Sequence, residues 1–183
     1  FSEFQISINE KGQMIKSYFY DNDLPYKVKF IEEHEPLGSA GSLSKIEAKY
    51  KGAIFVSNCD IVINTDYKAI HDFHIAGSYD LTLVASMRHY KIPYGVCKLD
   101  KDGKLKNIQE KPEYDFLVNT GAYIIESSLL KLIPKDVYFD MTDLISKAKE
   151  NSFSIGVFPV SQESWFDIGQ WSEYSKNVDK INI

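Results

Sequence analysis

An α/β fold, with a doubly wound and mostly parallel sheet covered by helices on both faces, is predicted by three features of this sequence. Strand-like and helix-like segments alternate along most of the 183 residues. Two runs, "GAIFVSNCD" at 52–60 and "DLTLVAS" at 80–86, are continuously apolar, as strands buried on both faces of a parallel sheet are. Between 94 and 112 the alternation gives way to two strands around "DKDG", which reads as a β-hairpin insertion with Gly103 supplying the positive φ of its turn.

The elements follow in order. "FSEFQISIN" alternates at Phe4, Ile6 and Ile8, and "EKGQMIKSYF" places Met14, Ile15, Tyr18 and Phe19 at helical spacing. "YKVKFIEE" returns to strand alternation, and a corner of small residues, "EPLGSAGSL", opens a helix through "SLSKIEAKY". After the strand at 52–60, Asp66 caps a helix that Gly77 ends. "VNTGAYIIES" is a strand, "SSLLKLI" a short helix stopped by Pro134, "MTDLISKAKEN" a helix capped by Asp140, and "FSIGVFPV" the last strand. "DIGQWSEYSKNVDKI" closes as a helix. No linker or repeat divides the chain, so a single domain over 1–183 is expected.

Composition narrows the function. A net charge of −5 and a pI near 5.4, without a basic stripe, argue against nucleic acid as a partner. No apolar run reaches the roughly 20 residues that span a bilayer and no signal peptide opens the chain, so the expectation is a soluble cytoplasmic protein without a membrane partner. Cys59 and Cys97 sit in apolar runs without metal-finger spacing and read as buried, reduced thiols. The four histidines lack metal-ligand spacing, and GxSxG, GxxxxGK[ST] and GxGxxG are absent. Hydrolase-triad, P-loop and dinucleotide-dehydrogenase chemistries are thereby set aside.

In open α/β sheets ligands bind beyond the carboxyl ends of the strands, so the residues there are candidates. Gly38, Ser39, Ala40 and Gly41 follow a strand and offer bare backbone N–H groups to a flat or anionic ligand, or else pack helix on sheet. Asp60 ends an apolar strand, where a carboxylate caps a turn or holds a cation. Asp167 is a ready helix cap, or with Asp60 completes an oxygen-rich Mg²⁺ site finished by water and phosphate. Glu110 and Lys111 are either a solvated pair or a sugar-hydroxyl acceptor beside a phosphate-neutralising cation. Asn119, Thr120 and Gly121 offer an amide and bare backbone to a hydroxylated ligand, or a plain turn; Tyr94 and Gly95 begin the hairpin.

In this order, "EPLGSAGSL", "SNCD", "YGV", "QEKP", "VNTGAYII" and "WFDIGQW" resemble the motifs of the sugar-1-phosphate nucleotidyltransferases, the nucleotide-sugar pyrophosphorylases, over essentially the whole chain. The resemblance implies a Rossmann-like fold, with the nucleobase against Leu37, Gly38, Ser39, Ala40 and Gly41, Ser39 standing where the family has threonine. It implies Asp60 and Asp167 as Mg²⁺ carboxylates and Lys111 as the contact to the sugar phosphate, these three carrying the catalysis. Tyr94, Gly95, Glu110, Asn119, Thr120 and Gly121 become the sugar-binding set. Cys59 replaces a family glycine.

The implied substrates are a nucleoside triphosphate and a sugar 1-phosphate, giving a nucleotide-sugar and pyrophosphate. "SNCD" looks closer to guanylyltransferase-like members, and the resemblance extends to bacterial enzymes that serve cell-surface glycan pathways. The family's opening strand, Gly-rich triphosphate loop and downstream lysine have no counterpart before Phe1. A first strand–loop–helix unit of about 50 residues is therefore expected to be missing, leaving a domain incomplete at its N-terminus and not competent alone. The vacated slot calls for a covering partner, with a homo-oligomer one way to supply it. The rival readings are a non-catalytic nucleotide or sugar-phosphate binding domain and a metal-dependent glycosyltransferase, although "NCDIV" lacks the paired carboxylates of a DxD motif.

Overall fold

The computed structural model of the chain describes residues 1–47 and 50–169. In chain order the elements are β1 (Glu3–Ile8), α1 (Gly12–Tyr20), β2 (Lys27–Glu32), α2 (Gly38–Gly41), β3 (Ala53–Ser57), β4 (Ile61–Ile63), α3 (Tyr67–Ala76), β5 (Leu81–Lys91), β6 (Val96–Leu99), β7 (Leu105–Gln109), β8 (Glu113–Glu126), α4 (Met141–Glu150), β9 (Ile155–Val160) and β10 (Trp165–Asp167). The fold is mixed α/β, as expected. Its sheets combine parallel and antiparallel pairs, since β1–β2 is parallel while β4–β10 and β6–β7 are antiparallel.

No linker separates domains, yet the chain forms two compact units, each assembled from three stretches: Phe1–Ile54, Ser78–Leu81 and Ile125–Ile155 in the first, Phe55–Gly77, Thr82–Ile124 and Gly156–Ile183 in the second. Such interleaving leaves no composition break for a sequence reading to find.

In the first unit β1 and β2 lie in register with Phe4 opposite Val28 and Ile6 opposite Phe30. Helix α1 connects them and lays Phe19 against Phe30, ring centres 6.0 Å apart. The predicted helix over 42–50 is much shorter. Helix α2 passes into a 3-10 turn over Ser42–Lys45, and Ile46 is extended. The Ser44 hydroxyl donates to the Gly41 carbonyl at 2.7 Å, one of the local side-chain bonds with which serine competes against a regular helix. Leu81, Ile125, Leu129, Leu144 and Ala148 are completely buried in this unit.

In the second unit a four-stranded sheet has the order β3-β8-β5-β9. Its core gathers Ile63, Ile70, Val84, Ala122, Ile124 and Val160, flanked by Phe55, Ile61, Phe158 and Trp165. Burying one such aliphatic side chain is worth about 1.5–3 kcal/mol. Asp66 caps α3 as predicted, accepting from the Lys68 N–H at 2.8 Å. Gly77 ends the helix in a right-handed conformation, however, and Ser78 takes the left-handed one at φ 49°.

Two expectations are corrected, and a third lies outside the described residues. Strand β8 begins at Glu113, so Asn119-Thr120-Gly121 lies inside it and not at its entrance. Both cysteines are exposed and unpaired, because β3 stops at Ser57, before Cys59, and Cys97 sits on a hairpin every residue of which but Val96 is exposed. The predicted closing helix falls largely outside the described residues, and Asp167 itself ends a strand.

Candidate functional site

Asp60 and Asp167, distant in the chain, are brought together by the β4–β10 ribbon. Its antiparallel register sets Trp165 opposite Ile63 and Asp167 opposite Ile61, and the Ile168 N–H donates to the Asp60 carbonyl at 2.8 Å. The apolar residues Ile61, Ile63 and Trp165 hold the ribbon to the core, and the Arg88 guanidinium covers the indole of Trp165 at 4.6 Å. Both carboxylates then border Gly169. Its N–H donates to Asp167 Oδ1 at 3.1 Å, and Asp60 Oδ2 lies 2.5 Å from where a Cβ on residue 169 would stand. The Asp60 carboxylate is exposed and has no hydrogen-bond or ion-pair partner among the described residues.

A second group surrounds the kink in β8 at Gly121, whose φ of 86° favours glycine. Asn119 Oδ1 accepts from the Gly121 N–H at 3.0 Å, and Asn119 Nδ2 donates to the Tyr123 hydroxyl at 2.6 Å. Burial raises the Tyr123 pKa, an effect the Asn119 bond partly offsets. Asn58, on the turn that carries Asp60, donates its backbone N–H to the Gly121 carbonyl at 3.0 Å. Its amide fills the space a side chain at 121 would need, Nδ2 being 2.8 Å from the would-be Cβ. Thr120 does not join the site: its buried hydroxyl donates to the Val84 carbonyl at 2.9 Å, because strand alternation turns it toward the core.

The base of the hairpin holds the third group, also in the second unit. Glu110 Oε2 lies 3.0 Å from the would-be Cβ of Gly95, so this glycine makes room for a carboxylate. Tyr94, Glu110 and Lys111 are exposed. Lys111 is held at φ 43°, a left-handed conformation costly for a residue before proline.

The small corner belongs to the first unit, and its backbone donors are not bare. The Ser39 N–H and hydroxyl both donate to Asp140 Oδ1, at 2.9 and 3.0 Å, and the Ala40 N–H donates to the Phe139 carbonyl at 2.9 Å. Leu37 is buried and its N–H donates to Glu33. A Cβ on Gly38 would stand 2.8 Å from Asp140 Oδ1, and one on Gly41 2.8 Å from the Val137 carbonyl. The glycines therefore let segment 137–141 approach, the packing alternative of the sequence reading. What the corner leaves outward is the exposed Ser39 and the half-buried Gly38.

The donors suit a hard cation: two carboxylates, one without a protein partner, flanking a residue with no side chain. No group of three or more His, Cys, Asp or Glu converges among the described residues, so water and phosphate oxygens would have to complete the shell. Sequence reasoning missed Asn58 and Gly169, although each stands beside a quoted aspartate, in "SNCD" and "DIG".

Comparisons with known proteins bear on the family and the fold. A mannose-1-phosphate guanylyltransferase catalytic subunit beta from Drosophila pseudoobscura pseudoobscura is 30% identical over 162 residues, covering 79% of this chain and 40% of that protein. A mannose-1-phosphate guanyltransferase from Pichia angusta is 27% identical over 187 residues, covering 94% and 50%. The chain thus spans half or less of the length of these curated relatives. Among solved structures, HddC from Yersinia pseudotuberculosis superposes with a TM-score of 0.70 at 24% identity, covering 99% of this chain and 79% of that one. A putative glucose-1-phosphate thymidylyltransferase from Bacillus anthracis gives 0.69 at 15%, covering 98% and 76%. These likenesses establish the fold. The nucleotidyl transferase family model matches residues 2–182, and this chain belongs to that family.

Proposed function

We propose that the protein of which this chain is part transfers a nucleotidyl group, of guanylyl type, from a nucleoside triphosphate to a sugar 1-phosphate. A phosphate oxygen of the sugar 1-phosphate attacks the α-phosphorus; the bond from that phosphorus to the bridging oxygen of the β-phosphate breaks, and pyrophosphate leaves. The observation that carries this reading is the meeting of Asp60 and Asp167 at Gly169, in a chain of the nucleotidyl transferase family. Asp60 and Asp167 would hold Mg²⁺, which when bound would neutralise charge on both phosphate groups.

The protein's own work is alignment of two polyanions, since little bond chemistry is asked of side chains. Lys111 pairs with the sugar phosphate, and Glu110 accepts from sugar hydroxyls over the hairpin base, with Tyr94 and Gly95 beside the ring. Gly121, whose missing side chain leaves room for the Asn58 amide, stands beside the ring, and Gly38 and Ser39 face the nucleobase. Such a reaction draws on the cytoplasmic nucleotide pool and supplies nucleotide-sugar for glycan assembly, including bacterial cell-surface glycans. The test is pyrophosphate release by the full-length polypeptide with Mg²⁺, GTP or another triphosphate, and a panel of sugar 1-phosphates. Release that depends on both substrates is expected. Binding without release would favour a non-catalytic sensor and contradict the proposal.

A further inference from the structure

We propose that Arg88 is a further phosphate-binding residue, its guanidinium gripping the phosphate of the sugar 1-phosphate; this rests on the transfer reading above. Arg88 is half-buried, and among the described residues it meets no carboxylate and makes no hydrogen bond. Its guanidinium lies over the Trp165 ring instead, Cζ 4.6 Å from the centroid. A partly desolvated cation is costly to leave unpaired, and with no acceptor in the protein its N–H donors remain for an oxyanion. The Trp165 N–H is itself buried without an acceptor, so this residue serves through the ring that carries the guanidinium.

Strand alternation puts this cation beside the paired carboxylates. Val84 and Arg88 share one face of β5, and Val84 lies in the core that Trp165 flanks. Trp165 and Asp167 share one face of β10, roughly 7 Å apart along the strand. The guanidinium over Trp165 therefore stands about one side-chain repeat from Asp167. Glu110, Lys111 and both aspartates belong to the same unit as Arg88, whereas the small corner belongs to the other, which assigns Arg88 to the sugar phosphate. A planar fork of donors matches phosphate oxygens two at a time, a geometry that the ammonium of Lys111 lacks.

The experiment uses the full-length polypeptide, its Arg88→Met variant, which keeps an unbranched stem without the charge, and Arg88→Lys. Arg88→Met should raise KM for the sugar 1-phosphate about ten-fold or more, the scale of one lost charge-assisted hydrogen bond. KM for the triphosphate should stay unchanged, and KM for the sugar 1-phosphate should become less sensitive to salt. Arg88→Lys should recover part of the loss, as a point charge without the fork does. A role confined to packing on Trp165 predicts a lower Tm in Arg88→Met with both KM values and the salt dependence unchanged. That result overturns the assignment, as does a rise in KM for the triphosphate alone. Should the wild type release no pyrophosphate with any pair, the transfer reading fails separately. Calorimetric titration of inorganic phosphate and pyrophosphate into wild type and Arg88→Met then decides the residue: weaker binding by the variant supports it, and equal binding, or none by the wild type, overturns it.

Discussion

Gly169 and Gly121 show what single residues contribute here, since each is a missing side chain that another residue uses. At Gly169 the space is taken by an Asp60 oxygen, at Gly121 by the Asn58 amide. Gly169→Ala would push the Asp60 carboxylate away from Asp167, whereas Gly121→Ala would meet both the amide and an unfavourable φ. The expected outcomes differ. Gly169→Ala should weaken divalent-ion binding with little change in Tm, and Gly121→Ala should lower stability by about 1–3 kcal/mol in denaturant titration. Equal stability losses in the two variants would mean that Gly169 is only a packing position.

At the scale of elements, the knot between the corner and α4 is open to pH. Ser39 donates twice to Asp140, and its hydroxyl accepts from the Met141 N–H at 2.9 Å, so one serine joins the corner to the start of the helix. Those bonds from Ser39, backbone first, hold the Asp140 carboxyl below its ordinary value. A depressed folded-state pKa gives stability that is fully present above the unfolded value, roughly 3.9, and is lost as pH falls through the folded one. Glu3, Glu32, Asp72 and Glu113 are shifted the same way by their own partners and add to the same acid limb. Asp140→Asn should therefore lower Tm at pH 7, with a difference from wild type that narrows below about pH 4. A gap independent of pH would show that the carboxylate's charge does not act there.

The elements also show how far the sequence could be read. Continuous apolar runs marked β3 and the start of β5, and "DKDG" marked the hairpin, where Asp100 Oδ1 indeed accepts from the N–H groups of Asp102 and Lys104, each at 2.9 Å. Local signals sufficed because the forces were local. Helix 42–50 was overread, since periodicity does not register serine hydroxyls competing for carbonyls. The bare N–H groups of the corner were overread too, because their acceptors, Phe139 and Asp140, come from a distant stretch. Asn58 escaped notice for the same reason: its environment is made by Gly121, from a distant stretch that no local pattern announces.

For the molecule as a whole, the family model spans nearly the entire chain, while the chain spans half or less of its curated relatives. What this part can show by itself is the pairing of two carboxylates made neighbours by the fold. The most direct test is Mn²⁺ binding followed by electron paramagnetic resonance in wild type, Asp60→Asn, Asp167→Asn and the double variant of the full-length polypeptide. Each single substitution should weaken binding by about ten-fold or more, equivalent to about 1.4 kcal/mol, with thermal stability retained and the double variant hardly worse than either single one. Wild-type Mn²⁺ affinity in either folded single variant would contradict the account.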